Sequence, residues 1–325
     1  LADRFYRMAP WRWMHDSDLF GVANAAIGET GFCCVMGRLG EFYGMAVYRG
    51  EAGLESYESL LEIDSDQVPN LKAFEQNCLM LSFSSWDELM PQEQEYLSET
   101  DLPPLQKDLW PSFRDYSPGL MPWPIEQEAQ AQYLALCIEQ ALDFCPEIAA
   151  SPHVLEPPSP MKNGFLVRTP QATPSSWKNE WVEVETYSPP SRKPVLDTKL
   201  LRGELGLFPR KEEVWGVDVF YVPVPTQIAE ERPFFPQILV IAQFNNGHII
   251  GHEVIPYGKL LNRIQSTFTE VAQQQRHIPS RIIVRNYEVL EMLEGLASVL
   301  QISLELDEQN ELLAEIKDTF FNSMI

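Results

Sequence analysis

The chain has 325 residues, 45% of them apolar and 11% aromatic, and a formal net charge of −23 at neutral pH. That is enough apolar content for packed cores, which excludes wholesale disorder, and enough length for two domains of roughly 100–200 residues each. No apolar run approaches the roughly 18–20 residues of a membrane span and no signal peptide is visible, so a cytoplasmic protein with no membrane association is expected. The charge is unevenly placed: residues 1–160 hold 8 Lys/Arg against 26 Asp/Glu. Such a field repels phosphate backbones and disfavours nucleic acid as a partner. The five cysteines include no CxxC pair, and Cys33 and Cys34 are adjacent in an expected strand, where they point to opposite faces. Reduced thiols are expected, with no disulfide framework and no metal or cofactor site.

Residues 1–20 are aromatic-rich, and Ala9-Pro10-Trp11 breaks a short helix. His15 beside Asp16 and Asp18 reads as a turn in preference to a ligand cluster. A hairpin follows, Gly31–Met36 and Tyr43–Tyr48, joined through Gly37-Arg38-Leu39-Gly40-Glu41. Its glycines lie between two strands, whereas a phosphate loop needs a helix N-terminus after the strand, so they read as turn glycines. Residues 53–63 have helical spacing, Asn77–Ser84 reads as a buried strand and Ser85–Leu97 as a helix. The proline- and aromatic-rich stretch from Trp110 to Pro124 is expected outside regular structure. It is either a loop pinned to the core or the wall of a groove formed by Trp110, Phe113, Arg114 and Trp123. Glu126–Phe144 carries an apolar stripe and is expected to end at Pro146. Prolines then recur from 151 to 176 around one short strand, Gly164–Thr169. These features divide the chain into an acidic α+β domain (1–150), a Pro-rich linker (151–178) and a second domain (179–325), which opens on an edge strand, Trp181–Tyr187.

The second domain is organised on Val214–Val222, a strand apolar on both alternating faces and therefore central in its sheet. Asp218 is its one charge. Phe235–Phe244 and His248–Ile255 follow as strands, turned through Asn245-Asn246-Gly247. His248 and His252 stand about 13 Å apart on such a strand, too far for a chelating pair. Then come a helix (Gly258–His277), a strand (Arg281–Val284), a helix (Tyr287–Leu300), a strand (Ile302–Leu306) and a helix (Asn310–Phe321).

This order, β-β-β-α-β-α-β-α, resembles the ribonuclease H-like fold of nucleases, transposases and integrases, and implies a mixed-sheet domain following the α+β one. The resemblance further implies an Asp on the first strand, a carboxylate at the end of the fourth and another on a later helix, together holding two metal ions. Asp218 matches the first. The fourth strand ends in Val284-Arg285-Asn286-Tyr287, with no acid, and Glu311 and Glu315 offer a helical one. Asp218 is therefore expected to be met by Arg285 or by backbone groups in place of a metal. Over the whole chain, PWRWMHDSDLF, VMGRLGEFYG with AVYRG, and PGLMPWP resemble a bacterial two-domain family of unknown function. Three functions follow as expectations. The first is a non-catalytic interaction or regulatory protein with an unidentified protein partner. The second is a metal-dependent nuclease or phosphoryl-transfer enzyme using Asp218. The third is a small-molecule binder at the domain junction.

Overall fold

The computed structural model describes residues 1–40, 42–61, 74–100, 102–161, 163–171, 176–184, 198–229, 231–256 and 258–324. They form two compact units, one comprising residues 1–118 and 122–188, the other 119–121 and 189–325. The chain is mixed α+β, with a mixed sheet in each unit and eight α-helices among the described residues.

The first unit has eight strands: β1 (Phe20–Asn24), β2 (Glu29–Met36), β3 (Gly44–Arg49), β4 (Cys78–Ser84), β5 (Trp110–Tyr116), β6 (Trp123–Pro124), β7 (Gly164–Pro170) and β8 (Trp177–Glu183). They lie in the order β6-β5-β4-β3-β2-β1-β7-β8, antiparallel except for β1 against β7. The alternating side chains of the central strands separate two cores. Cys33, Val35, Met45, Val47, Leu79 and Leu81 face the long helix α4 (Glu128–Ala150) and the short α1 (Ala2–Met8). Phe32, Cys34, Ala46, Tyr48, Cys78 and Met80 pack with Leu54 and Tyr57 of α2 (Gly50–Leu61). All five cysteines are free and buried.

Three expectations for this unit need correction. Trp110–Pro124 is not a loop throughout, because β5 and β6 fall inside it. Pro111 is tolerated there because β6 reaches only Arg114 and Asp115, which leaves the sheet edge open where no N–H is needed. Pro146 does not end α4 but sits within it. One lost hydrogen bond is outweighed by the burial of Phe144, Cys145 and Ile148 on either side. The linker strand and the Trp181 strand both join the first sheet as β7 and β8, and the units divide after Ser188. Buried Leu166, Val167 and Arg168 hold β7 there, with the Arg168 guanidinium bonded to Gln140 and Asp143. The expected helix residues 62–63, the linker residues 162 and 172–175, and the strand residues 185–187 lie outside the described residues. The expected helix at Ser85–Leu97 is a 3-10 turn (Trp86–Glu88) followed by α3 (Pro91–Glu99).

In the second unit, α5 (Thr198–Glu204) precedes β9 (Arg210–Tyr221), β10 (Gln237–Gln243), β11 (Ile249–Ile255), α6 (Leu260–Gln275), β12 (Ile278–Val284), α7 (Tyr287–Leu300), β13 (Ser303–Leu306) and α8 (Glu311–Met324). The strand order is β11-β10-β9-β12-β13. β9, β10 and β11 run antiparallel as a meander, and β12 and β13 run parallel to β9 and to each other. Gly247 takes φ +67° in the β10–β11 turn, the left-handed value that the Asn-Asn-Gly signal points to. Trp215, Val217 and Val219 on one face of β9 join the core formed with α6 and α7. The opposite face carries Gly216, Asp218 and Phe220, and α8 covers it: Phe220 lies 5.8 Å from Phe320 and 5.7 Å from Phe321, ring to ring.

Gly216 sets how closely α8 approaches. A Cβ built there would stand 2.8 Å from Leu313 Cδ2, and Leu313 is fully buried. Gly216→Val should therefore cost about 1–3 kcal/mol, the usual range for overpacking a filled core. Urea unfolding measures this, and an unchanged midpoint would mean that α8 does not press on β9 at this position.

Candidate functional site

Asp218 lies mid-way along β9, 5% exposed, opposite Val240 of β10. Its neighbour Val217 is in register with Val284, the last residue of β12, so the chain leaving β12 passes close to the carboxylate. Arg285 is the next residue, and Asn286 caps α7 by accepting a hydrogen bond from the Val289 N–H at 3.1 Å. That cap fixes the turn in which Arg285 sits. Arg285 Nη1 lies 3.5 Å from Asp218 Oδ2, and the Val219 N–H donates to Asp218 Oδ1 at 3.0 Å. The expectation that Arg285 and backbone would meet the buried carboxylate matches this geometry.

From α8 the group whose charge acts on Asp218 is Lys317. The Lys317 ammonium also lies 5.6 Å from the centre of the Phe321 ring. Burial lowers the Lys317 pKa, and the Arg285 charge lowers it further. Glu311 and Glu315 are both exposed. Lys317 was missed in the sequence, although one signal marks it: it stands four residues after Leu313, on the face of the helix that turns inward. Asp218, Arg285 and Lys317 thus form one cluster, in which a single carboxylate faces two cations. Two divalent cations do not fit this set, because two of the three side chains are themselves cations and repel them. Among the described residues no group of three or more His, Cys, Asp or Glu side chains could hold a metal ion.

The groove residues fare differently. Trp110 and Phe113 line a groove of about 1010 Å³ within the first unit, together with Tyr96, Pro111, Leu134 and Ile138. Arg114 and Trp123 do not line it. Arg114 is turned to Glu93, with Nη2 to Oε2 at 2.7 Å and Nε to Oε1 at 3.1 Å, and the Ser112 hydroxyl donates to the same carboxylate. The Trp123 indole donates to Glu126 Oε1 at 3.0 Å.

A family model described as a domain of unknown function (DUF7309) matches residues 1–168. The chain belongs to that family. A second model, also a domain of unknown function (DUF6930), matches residues 205–321, which contain Asp218, Arg285 and Lys317. No curated protein matches this DUF7309 chain.

Burial raises the Asp218 carboxyl to about 6, against the opposing pull of Arg285, the Val219 N–H and Lys317. Folding therefore raises the affinity of this group for a proton. Its contribution to stability is fully present below the unfolded value of about 3.9 and is lost as pH rises through about 6. Asp218→Asn removes this titration. From about pH 4 to about pH 7 the stability of the wild type relative to D218N should fall by on the order of 2–3 kcal/mol. Urea melts of both proteins across that window give the difference, and a flat difference would show that Asp218 is not desolvated.

Proposed function

We propose that this chain is a non-catalytic interaction or regulatory protein of the bacterial cytoplasm, and that its second unit is a degenerate ribonuclease H-like domain. The scaffold reading is supported by the strand order β11-β10-β9-β12-β13, a three-strand meander extended on the β9 side by two parallel strands. The cytoplasmic reading is supported by five buried, unpaired cysteines, the usual state in a reducing compartment. A bacterial origin is what the whole-chain resemblance implies. Among the described residues no helix is long and apolar enough to cross a membrane.

The observation that carries the non-catalytic reading is the sign of the charge around Asp218. In-line phosphoryl transfer by paired metals needs carboxylates that hold two divalent ions about 4 Å apart. Arg285 and Lys317 neutralise the single carboxylate from within the protein, so the ion-pair cluster reads as a structural element of β9 and α8. The partner is then a protein, and the charge of −23 disfavours nucleic acid. Calorimetric titration of the full chain with Mn²⁺ should give no heat attributable to this site, and the chain should leave single- and double-stranded DNA and RNA uncut. Micromolar Mn²⁺ binding and cleavage, both lost in D218N, would replace this reading with the nuclease one.

The apolar groove favours a second reading, a small-molecule binder, with the site inside the first unit. Its volume suits a drug-sized ligand, and Trp110 and Phe113 supply aromatic walls. The neutral fluorophore Nile red should brighten in the presence of the chain and lose that response in Phe113→Arg. A response equal in both proteins would remove the groove as the binding site.

A further inference from the structure

The first 160 residues contain only 8 Lys/Arg, and three of them, Arg7, Arg12 and Arg38, line one pocket of about 880 Å³. The pocket is built from α1, the 3-10 turn Pro10–Arg12 and the turn between β2 and β3. The last two of these pieces belong to sequence stretches singled out above, PWRWMHDSDLF and VMGRLGEFYG. The turn closes tightly. The Gly40 N–H donates to Gly37 O at 3.0 Å, and Gly37 and Gly40 take φ +126° and +85°. A Cβ at Gly37 would stand 2.5 Å from the Tyr43 ring and 2.9 Å from Phe42 O, so glycine is required for this turn to lie against Tyr43. Tyr43 in turn packs on Trp11, with ring centres 4.9 Å apart. The pocket therefore has an aromatic wall and a guanidinium rim.

The three guanidiniums are only lightly engaged. Arg7 Nε donates to Asp3 Oδ1 at 2.8 Å, and Arg38 Nη1 to the Arg12 carbonyl at 3.0 Å, which leaves most of their N–H groups unused. The Arg12 side chain is exposed and has no acidic partner among the described residues. In a region where acids outnumber bases 26 to 8, three like charges gathered at one pocket, and answered by one carboxylate among the described residues, repel each other, and a bound anion would relieve that.

We propose that this pocket binds a small phosphorylated molecule, with its phosphate held by Arg7, Arg12 and Arg38 and its organic part lying against Trp11 and Tyr43. Guanidinium forks match planar pairs of oxyanion oxygens, and a phosphate offers both the charge and the number of acceptor atoms that three arginines can use. A lone carboxylate would satisfy one of them. The volume lies within the range of organic-ligand sites, about 300–1,000 Å³, and exceeds what a bare ion fills. The excess of 26 acids over 8 bases in the first 160 residues disfavours a nucleic-acid chain, so the ligand is a small one. This inference is independent of the reading of the second unit.

The test is calorimetric titration of the full chain with AMP, inorganic pyrophosphate, citrate and adenosine. AMP and pyrophosphate should bind, adenosine should not, and citrate should bind more weakly than pyrophosphate. Arg12→Gln and Arg38→Gln, each shown by thermal melting to be folded, should weaken AMP roughly tenfold or more, the usual loss when a charge-assisted bond is removed. Absence of binding by both phosphates at millimolar concentration overturns the proposal. So does AMP affinity unchanged in both variants, or tighter binding of citrate than of pyrophosphate.

Discussion

The covering of β9 on both faces is the constraint on which the second unit depends. With α6 and α7 on one side and α8 on the other, no water reaches the middle of the strand, and whatever polar group stands there must be met by protein. Asp218 is such a group, and each element placed around it answers to that need. The exit from β12 delivers Arg285, the Asn286 cap holds that exit in place, and α8 brings Lys317 into range. Removing one cation while keeping the acid would leave a buried charge with half its compensation, which is why this cluster behaves as a unit.

The first unit solves a similar problem with a different inventory. Its middle strands are also buried on both faces, yet the side chains they direct inward are apolar or thiol, and its many acids lie outside the two cores. Where charge does enter, it is paired at short range: Glu93 with Arg114 and Ser112, Arg49 with Asp115 at 3.0 Å, Arg168 with Asp143 and Gln140. The arginines of the pocket at the Gly37–Gly40 turn depart from this habit, since among the described residues one acid, Asp3, answers three of them.

The second unit was the more legible from its residues. Apolar periodicity placed all five strands and three of its helices, because each of these carries an apolar pattern of its own, and α7 spans the residues expected of it. α5 escaped notice because seven residues are too few to show a helical repeat. In the first unit the proline rule misled twice. Pro111 and Pro146 both sit inside regular elements, since a missing N–H matters little at an open sheet edge and neighbouring burial can offset it in a helix. Strands β7 and β8 were visible as strands, but β7 was assigned to the linker and β8 to the second domain, whereas both join the first sheet. The strand that ties them to the sheet is β1, the partner of β7, which lies some 140 residues earlier, and pairing at that distance leaves no local trace. At the site, Asp218 and Arg285 were legible because a charge in an apolar strand and a cation at a strand exit both stand out. Lys317 was not, since a lysine in a helix is ordinarily solvated.

Gly216 also ties the seating of α8 to the protonation of the strand beneath it. Its bare face of β9 is closed by Leu313, which lies about a hundred residues later in the chain. Until α8 docks, Asp218 remains in water and loses its proton at the ordinary acidity of an aspartate; once α8 closes over it, the same carboxyl holds a proton up to about 6. Docking of α8 is therefore linked to a proton: mild acid favours it, and above that range Arg285 and Lys317 meet the carboxylate while Leu313, Phe320 and Phe321 keep the helix packed on β9. The last helix of the sheet is in this sense an acid-favoured latch on the face of β9 that carries Asp218.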